Sequence, residues 1–206
     1  MKFSGFTATD FNVFKINGLE PRMDALIDRI RPKLEWLGNH FSEELSIMLG
    51  QEMYPHIAKH ARRTVNPPND TWVAFSSNRR GYKMVPHFQI GLWETHLFVW
   101  YAVIYEAPMK TEIGQALKTN IESIQQIIPS NFVWSIDHMK PDATMHSELK
   151  IEDFASMFER LQTVKKSEIL CGIQIPRDKA VEMSGNELVN VIHDVFVQLL
   201  PLYKMN

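Results

Sequence analysis

The stretch SSNRRGYKMVPHFQIG combines cations and a histidine in a pattern that could bind an anion. Arg79 and Arg80 precede a strand-like run, residues 82–93, that contains Lys83, His87 and Gln89. Arginine presents planar donors that match phosphate or carboxylate oxygens, and lysine supplies a point charge. Because an ordinary histidine titrates at about pH 6.5, His87 is also the best candidate for proton transfer in this region.

Two further cations, Arg62 and Arg63, lie upstream of this stretch. Residues 53–93 contain six lysines and arginines and one acidic residue, whereas the whole chain has a net charge of −2. Each close pair of exposed cations costs up to about 1 kcal/mol in water, so convergence requires an anion, a partner or internal carboxylates. The carboxylates available are Asp70, Glu94 and Glu106. The predicted anion site consists of Arg62, Arg63, Arg79, Arg80, Lys83, His87 and Gln89.

The faces of the sheet follow from period-two alternation along residues 82–93, which predicts a strand with one apolar and one polar face. Two-residue loops at Arg79–Arg80 and Glu94–Thr95 would fix the register of its neighbours. That register pairs Trp72 with His87, Gln89 with Trp100, and Gly91 with Phe98. Because directly opposed residues share a face, the predicted groove has an aromatic floor on which a ligand ring could stack.

The elements that position these residues are predicted from spacing. Three strand-like runs with short turns predict an antiparallel meander at about residues 71–106. Two further strands and three helices follow the meander. Before it, the spacing predicts one kinked helix, or two helices in line, and then a short helix from Pro55 to about Arg63. The predicted fold class is α+β, with a mixed, largely antiparallel sheet flanked by helices. We expect one domain over residues 1–206, with a helical segment of about 20–63 packed on a body of about 71–204.

Other motifs leave alternatives open. His56 and His60 are spaced like two zinc ligands on a helix, but HIAKH lacks the glutamate of a metalloprotease motif, so no metal or other cofactor is predicted. HFQIG is similar to a strand of the two-histidine phosphoesterases, with glutamine where they have Ser or Thr, which keeps a hydrolase that uses His87 as an alternative. DHMKPD, residues 137–142, ends a strand with acid–base groups, which a solvated turn also explains.

Composition narrows the class of protein. With 206 residues, 45% of them hydrophobic, the chain can bury the core of one domain. A pI of about 6.4 argues against extended nucleic-acid binding, for which about 9 is typical. The single Cys171 fits a reducing cytosol, and the longest apolar run is about half of the roughly 20 residues that cross a bilayer. We therefore expect a cytoplasmic protein with no membrane segment and a small anionic ligand; a protein-interaction domain is the remaining alternative.

Several stretches of the chain resemble the YktB-like proteins of Bacillus and related Gram-positive bacteria. The longest is HIAKHARRTVNPPNDTWVAFSSNRRGYKMVPHFQIG; the others are GLEPRMDALIDRIRP, DHMKPD and LLPLYK. The resemblance covers the whole chain and implies an intracellular α+β domain. Because that family is one of unknown function, the resemblance implies no activity, cofactor or catalytic residue.

Overall fold

The computed structural model describes residues 3–205, which form the predicted α+β fold. The helices are α1 (Ala8–Phe11), α2 (Leu19–Ala25), α3 (Arg31–Leu49), α4 (Lys110–Thr119), α5 (Ile121–Ile127), α6 (Ile151–Thr163), α7 (Arg177–Glu182) and α8 (Gly185–Lys204). The strands are β1 (Tyr54–Ile57), β2 (Asp70–Ser76), β3 (His87–Trp93), β4 (His96–Val103), β5 (Val133–Ser135), β6 (Thr144–Met145) and β7 (Ile169–Pro176).

The strands form one seven-stranded sheet in the order β1-β2-β3-β4-β7-β5-β6. Every adjacent pair is antiparallel. The predicted meander is β2, β3 and β4, and β7 enters between β4 and β5. As a result, β7 brings the second half of the chain against the strands that carry His87 and Gln89.

The two faces of the sheet differ in what covers them. The first face packs on helices: Phe196 of α8 lies 5.2 Å from Phe88 and 5.9 Å from Phe75, measured between ring centroids. Phe41 of α3 meets the same ring at 5.4 Å. Each buried phenylalanine contributes about 1.5–3 kcal/mol of transfer free energy, so this layer anchors the helices on the sheet. The second face carries a smaller apolar cluster around Phe98 and Trp100.

The N-terminal helical stretch confirms the expectation of helices in line. A π-helical turn, Leu26–Ile30, joins α2 to α3 immediately before Pro32. Proline lacks the amide hydrogen that an α-helical turn would use, and a widened turn accommodates that loss. In residues 3–205, no helix combines the length and hydropathy needed to cross a membrane.

The short helix predicted from Pro55 to Arg63 is wrong. Residues 54–57 form β1, whose His56 pairs with Ala74 of β2, and His60 lies in a turn with a positive φ of 52°. Pro55 satisfies the first position of a helix and an edge strand equally well, because neither needs its missing amide hydrogen. The helical spacing of the two histidines therefore does not exist.

The meander is confirmed, with one change in its first turn. The β3–β4 register is as predicted, with Gln89 opposite Trp100. The β2–β3 turn is longer than predicted, because β3 begins at His87 rather than Tyr82 and Trp72 pairs with Gly91. The shift is an even number of residues, so Trp72 still shares a face with Gln89.

Candidate functional site

The predicted basic residues form two groups that the structure does not bring together. Arg63 donates to the carbonyls of Asn66 and Pro67 at 3.3 and 3.4 Å, beside the first residues of β2. Arg79 and Arg80 are exposed in the turn that follows the end of β2. The seven residues of β2 separate the two groups, and at about 3.3 Å per residue this is roughly 20 Å.

The hairpin group is open to solvent and partly neutralised. Lys83 Nζ lies 2.9 Å from a carboxylate oxygen of Glu106, one of the carboxylates that we considered as internal partners. Arg80 and Lys83 line an open depression of about 390 Å³ together with His56 and Tyr82. Exposed ion pairs of this kind contribute at most about 1 kcal/mol, and Arg80 forms no ion pair within residues 3–205, so the depression retains a positive charge.

His87 and Gln89 lie in the interior and bind each other. His87 is fully buried; its Nδ1 donates to the Val85 carbonyl at 2.9 Å, and its Nε2 accepts from Gln89 Nε2 at 2.9 Å. Burial lowers the pKa of His87 to about 4, so the ring is neutral at pH 7. A general base must reach the proton that it abstracts, and both ring nitrogens of His87 are occupied.

An aromatic groove lies on the second face of the sheet. We use this name for the space between Trp72, Trp93, Phe98 and Trp100, which Asp70, Gln89 and Gln174 also line. Gly91 permits the close approach of two of these rings. A Cβ there would lie 2.3 Å from Phe98 Cζ and 2.7 Å from Trp72 Cβ, so no larger residue fits between them.

A strap, residues 136–143, crosses this face between β5 and β6. Ser135 Oγ donates to the carbonyls of Asp137 and Asp142 at 3.3 and 3.1 Å, which closes the strap into a compact turn. Gln174 Nε2 donates to the Pro141 carbonyl at 2.7 Å and ties the strap to β7. The strap therefore roofs the aromatic groove.

His138 on the strap is held by a buried glutamate. Its Nδ1 lies 2.7 Å from Glu168 Oε2, and its backbone amide donates to the same oxygen at 3.0 Å. Glu168 is 4% exposed and also accepts from the Tyr105 amide at 3.4 Å. Burial alone would lower the pKa of His138, but the hydrogen bond and charge of Glu168, with the charges of Asp70 and Asp137, raise it above its ordinary value. His138 is thus a fixed imidazole that favours the protonated form.

An outer cleft of about 650 Å³ opens beside the strap and shares Ser135, Asp137, His138 and Lys140 with the lining of the aromatic groove. His138 and Lys140 form its wall on the strap, and Arg160 and Lys166 approach it from the end of α6. Lys140 Nζ lies 3.6 Å from Asp137, whereas Arg160 and Lys166 form no ion pair within residues 3–205. The cleft therefore combines a protonatable histidine with two cations that form no ion pair in the described residues, and the carboxylates of Asp137, Asp142 and Glu168 also line it.

A metal centre is not evident in the part of the chain that the structure describes. Among residues 3–205, no group of three or more histidine, cysteine, aspartate or glutamate side chains is arranged to hold a metal ion. Cys171 lies in the core, and burial raises the pKa of its thiol well above the usual value. This thiol is therefore inert as a nucleophile.

Sequence reasoning identified part of this site. DHMKPD indicated acid–base groups at a strand end, and the alternation of β3 placed Gln89 on a face with aromatic residues. The partner of His138, Glu168, lies 30 residues away, between the Lys165–Ser167 segment and β7, and gave no signal. Asp70 was considered only as a partner for the arginines, although it lines the aromatic groove.

Comparison with known proteins gives the family. Residues 6–203 match the domain of unknown function DUF1054. A UPF0637 protein of Bacillus velezensis is 54% identical over 200 residues, which are 97% of this chain and 95% of the relative. A UPF0637 protein of Bacillus mycoides is 50% identical over 205 residues, covering 100% of this chain and 99% of the relative. The resemblance to an uncharacterised family of Bacillus is thereby confirmed, and the chain belongs to the DUF1054 family.

Proposed function

We propose that the protein binds a small ligand through an anionic group, phosphate or carboxylate, in the outer cleft. The observation that supports this most directly is the pairing of His138 with the buried Glu168 beside Arg160 and Lys166, which form no ion pair within residues 3–205. Glu168 fixes the ring through Nδ1, so Nε2 is the nitrogen that can donate to a ligand. Anion binding thus remains our prediction, but its place differs from the one inferred from sequence.

The three cationic groups have complementary tasks in this proposal. Arg160 presents the planar donor fork that matches two oxygens of one anion. Lys166 supplies a flexible point charge at the rim of the cleft. His138 adds a donor whose charge depends on pH, so affinity should decrease as pH rises through its raised pKa. A large apolar surface is not needed, because charge-assisted hydrogen bonds carry the recognition.

Replacing Lys166 by alanine should weaken phosphate binding about five- to ten-fold, because one cation is lost from the cleft. The matched control is Lys165→Ala, which removes the same charge at an exposed position that does not line the cleft. Titration calorimetry with inorganic phosphate at low salt measures both. Equal losses in the two variants would show only a general charge effect and would contradict the proposed place.

His138→Gln tests the pH dependence. The wild type should bind sulfate, whose charge does not change over this range, more tightly at pH 6 than at pH 8.5, since the protonated imidazole carries the extra charge. The variant should show a flatter profile with weaker binding at the acidic end. As a comparison, Arg79→Ala should bind the anion with the wild-type affinity at both pH values. A loss of binding in Arg79→Ala would instead locate the anion site in the hairpin depression.

A further inference from the structure

The aromatic groove admits only a very small group. Its free space is about 10 Å³, whereas the adjoining outer cleft offers about 650 Å³. About 10–15 Å³ on this scale accommodates one water molecule. A planar heterocycle or a trimethylated ammonium therefore does not enter the groove in this conformation, but a group of the size of water does.

Gln89 presents a hydrogen-bond acceptor to this space. His87 Nδ1 faces the Val85 carbonyl and must carry the hydrogen there, so Nε2 of the neutral ring is an acceptor. Gln89 must then turn its NH₂ group toward His87, at 2.9 Å. Its Oε1 accepts no hydrogen bond within residues 3–205, and the orientation of this oxygen is fixed by the buried histidine. His87 thus acts as a positioning residue.

Two other acceptors line the same groove. Gln174 donates a hydrogen bond from its NH₂ group to the Pro141 carbonyl at 2.7 Å, which leaves its Oε1 able to accept from another donor. Asp70 contributes a carboxylate that forms no ion pair in the described part of the chain. The nearby cations are engaged elsewhere: Arg63 donates to backbone carbonyls, and His138 is paired with Glu168. A partly buried carboxylate is costly unless a cation compensates it, and the charges of His138 and Arg63 offset the desolvation of Asp70 only in part.

The chemistry of the groove matches one functional group. A primary ammonium has three N–H donors, the size of a water molecule and a positive charge. Three acceptors line the groove, and aromatic faces attract a cation, which adds about 0.5–2 kcal/mol in desolvated sites. Lys140 also borders the groove, but its side chain is 66% exposed and its Nζ lies near Asp137, so it leaves the groove unfilled.

We infer that the aromatic groove binds the primary ammonium group of a small ligand whose anionic group lies in the outer cleft. This inference rests on the proposed function for the anionic end of the ligand. The strap connects the two sites, because Asp137, His138 and Lys140 line both. The ligand class is therefore a short zwitterion, such as an aminoalkyl phosphate or an amino acid with a short spacer.

The test compares ligands that share the anion and differ at the amine. We expect aminoethyl phosphate to bind at least about ten-fold more tightly than ethyl phosphate at pH 7.5, because charge-assisted hydrogen bonds are added. The trimethylated analogue, phosphocholine, should bind no more tightly than ethyl phosphate, since it has no N–H donor and exceeds the free space. β-Alanine and propionate form the equivalent pair for a carboxylate.

Variants separate the two ends of the ligand. Gln174→Leu, at a partly exposed position, should reduce the preference for the amine to about three-fold or less and leave ethyl phosphate binding unchanged. Gln89→Leu should do the same if its melting temperature confirms folding. Lys166→Ala should weaken aminoethyl and ethyl phosphate by equal factors, because both use the outer cleft.

The outcomes distinguish the inference from the function on which it rests. Equal affinities for the aminated and the deaminated ligands of both pairs would overturn the ammonium site and leave anion binding intact. Preferential binding of phosphocholine would overturn it in favour of an open aromatic cage. Failure of every anionic ligand to bind would overturn both proposals, and a preference that survives in Gln174→Leu and Gln89→Leu would place the amine elsewhere.

Discussion

Replacing Gly172 by alanine is expected to destabilise the fold by about 3 kcal/mol or more. A Cβ at this position would lie 1.9 Å from the Val99 carbonyl oxygen and about 3 Å from the Trp100 backbone. Gly172 lies on a central strand between Trp100 and Val133, so the neighbouring strands cannot separate without loss of their hydrogen bonds. Urea denaturation of the variant measures the loss.

Gly81→Ala is the matched control for this prediction. Gly81 lies in the exposed turn before β3, no atom lies within 4 Å of the added Cβ, and its φ is not positive. Its stability should change by less than about 0.5 kcal/mol. Similar losses in the two variants would show that the close strand contact at Gly172 is not the cause.

Replacing Asp70 by asparagine is expected to stabilise the protein at pH 7.5 by about 1–2 kcal/mol, or about 3–6 °C in Tm. Burial raises the pKa of Asp70 from 3.8 to about 6, although His138 and Arg63 oppose this effect with their positive charge. Because the pKa is higher in the folded state, the stability contribution is fully present below pH 3.8 and is lost as pH rises to about 6. At neutral pH the fold therefore bears an ionised, desolvated carboxylate that asparagine removes.

The pH dependence identifies the mechanism of this gain. The difference between Asp70→Asn and the wild type should be largest above pH 7 and should shrink to less than half at pH 4.5, where the folded-state carboxyl group is already protonated. Asp142→Asn, at an exposed strap position, should have no comparable effect. If Asp70→Asn is less stable than the wild type at pH 7.5, the carboxylate is not desolvated. If Asp70→Asn loses the preference for the aminated ligands and is also more stable than the wild type, Asp70 is a binding residue whose charge lowers the stability of the fold.

Local patterns predicted the parts of the fold that depend on near neighbours. The β3–β4 register followed from a two-residue turn, which leaves little freedom in the pairing of Gln89 with Trp100. The β2–β3 connection was harder to predict, because residues 77–86 contain no pattern that sets its length. Pro55 misled the prediction, since a proline suits a helix start and a sheet edge equally well.

The candidate site depends on contacts between distant segments, which alternation and spacing do not reveal. Asp70 is the first residue of β2, His138 follows β5, and Glu168 precedes β7; the sheet order brings these strand ends together. The basic residues near Arg79 were predicted to form a site because a cluster of charge can be recognised in the sequence alone. The acceptors in the aromatic groove became visible only when the hydrogen-bond partners of Gln89 and Gln174 were known.

The outer strands of the sheet determine how the protein meets other polypeptides. β6 has only two residues, and β1 has four, of which Pro55 has no amide hydrogen to offer. Neither border provides a long row of free donors and acceptors on which a foreign strand could be templated. Recruitment by strand addition and fibrillar growth from these borders are thus both disfavoured.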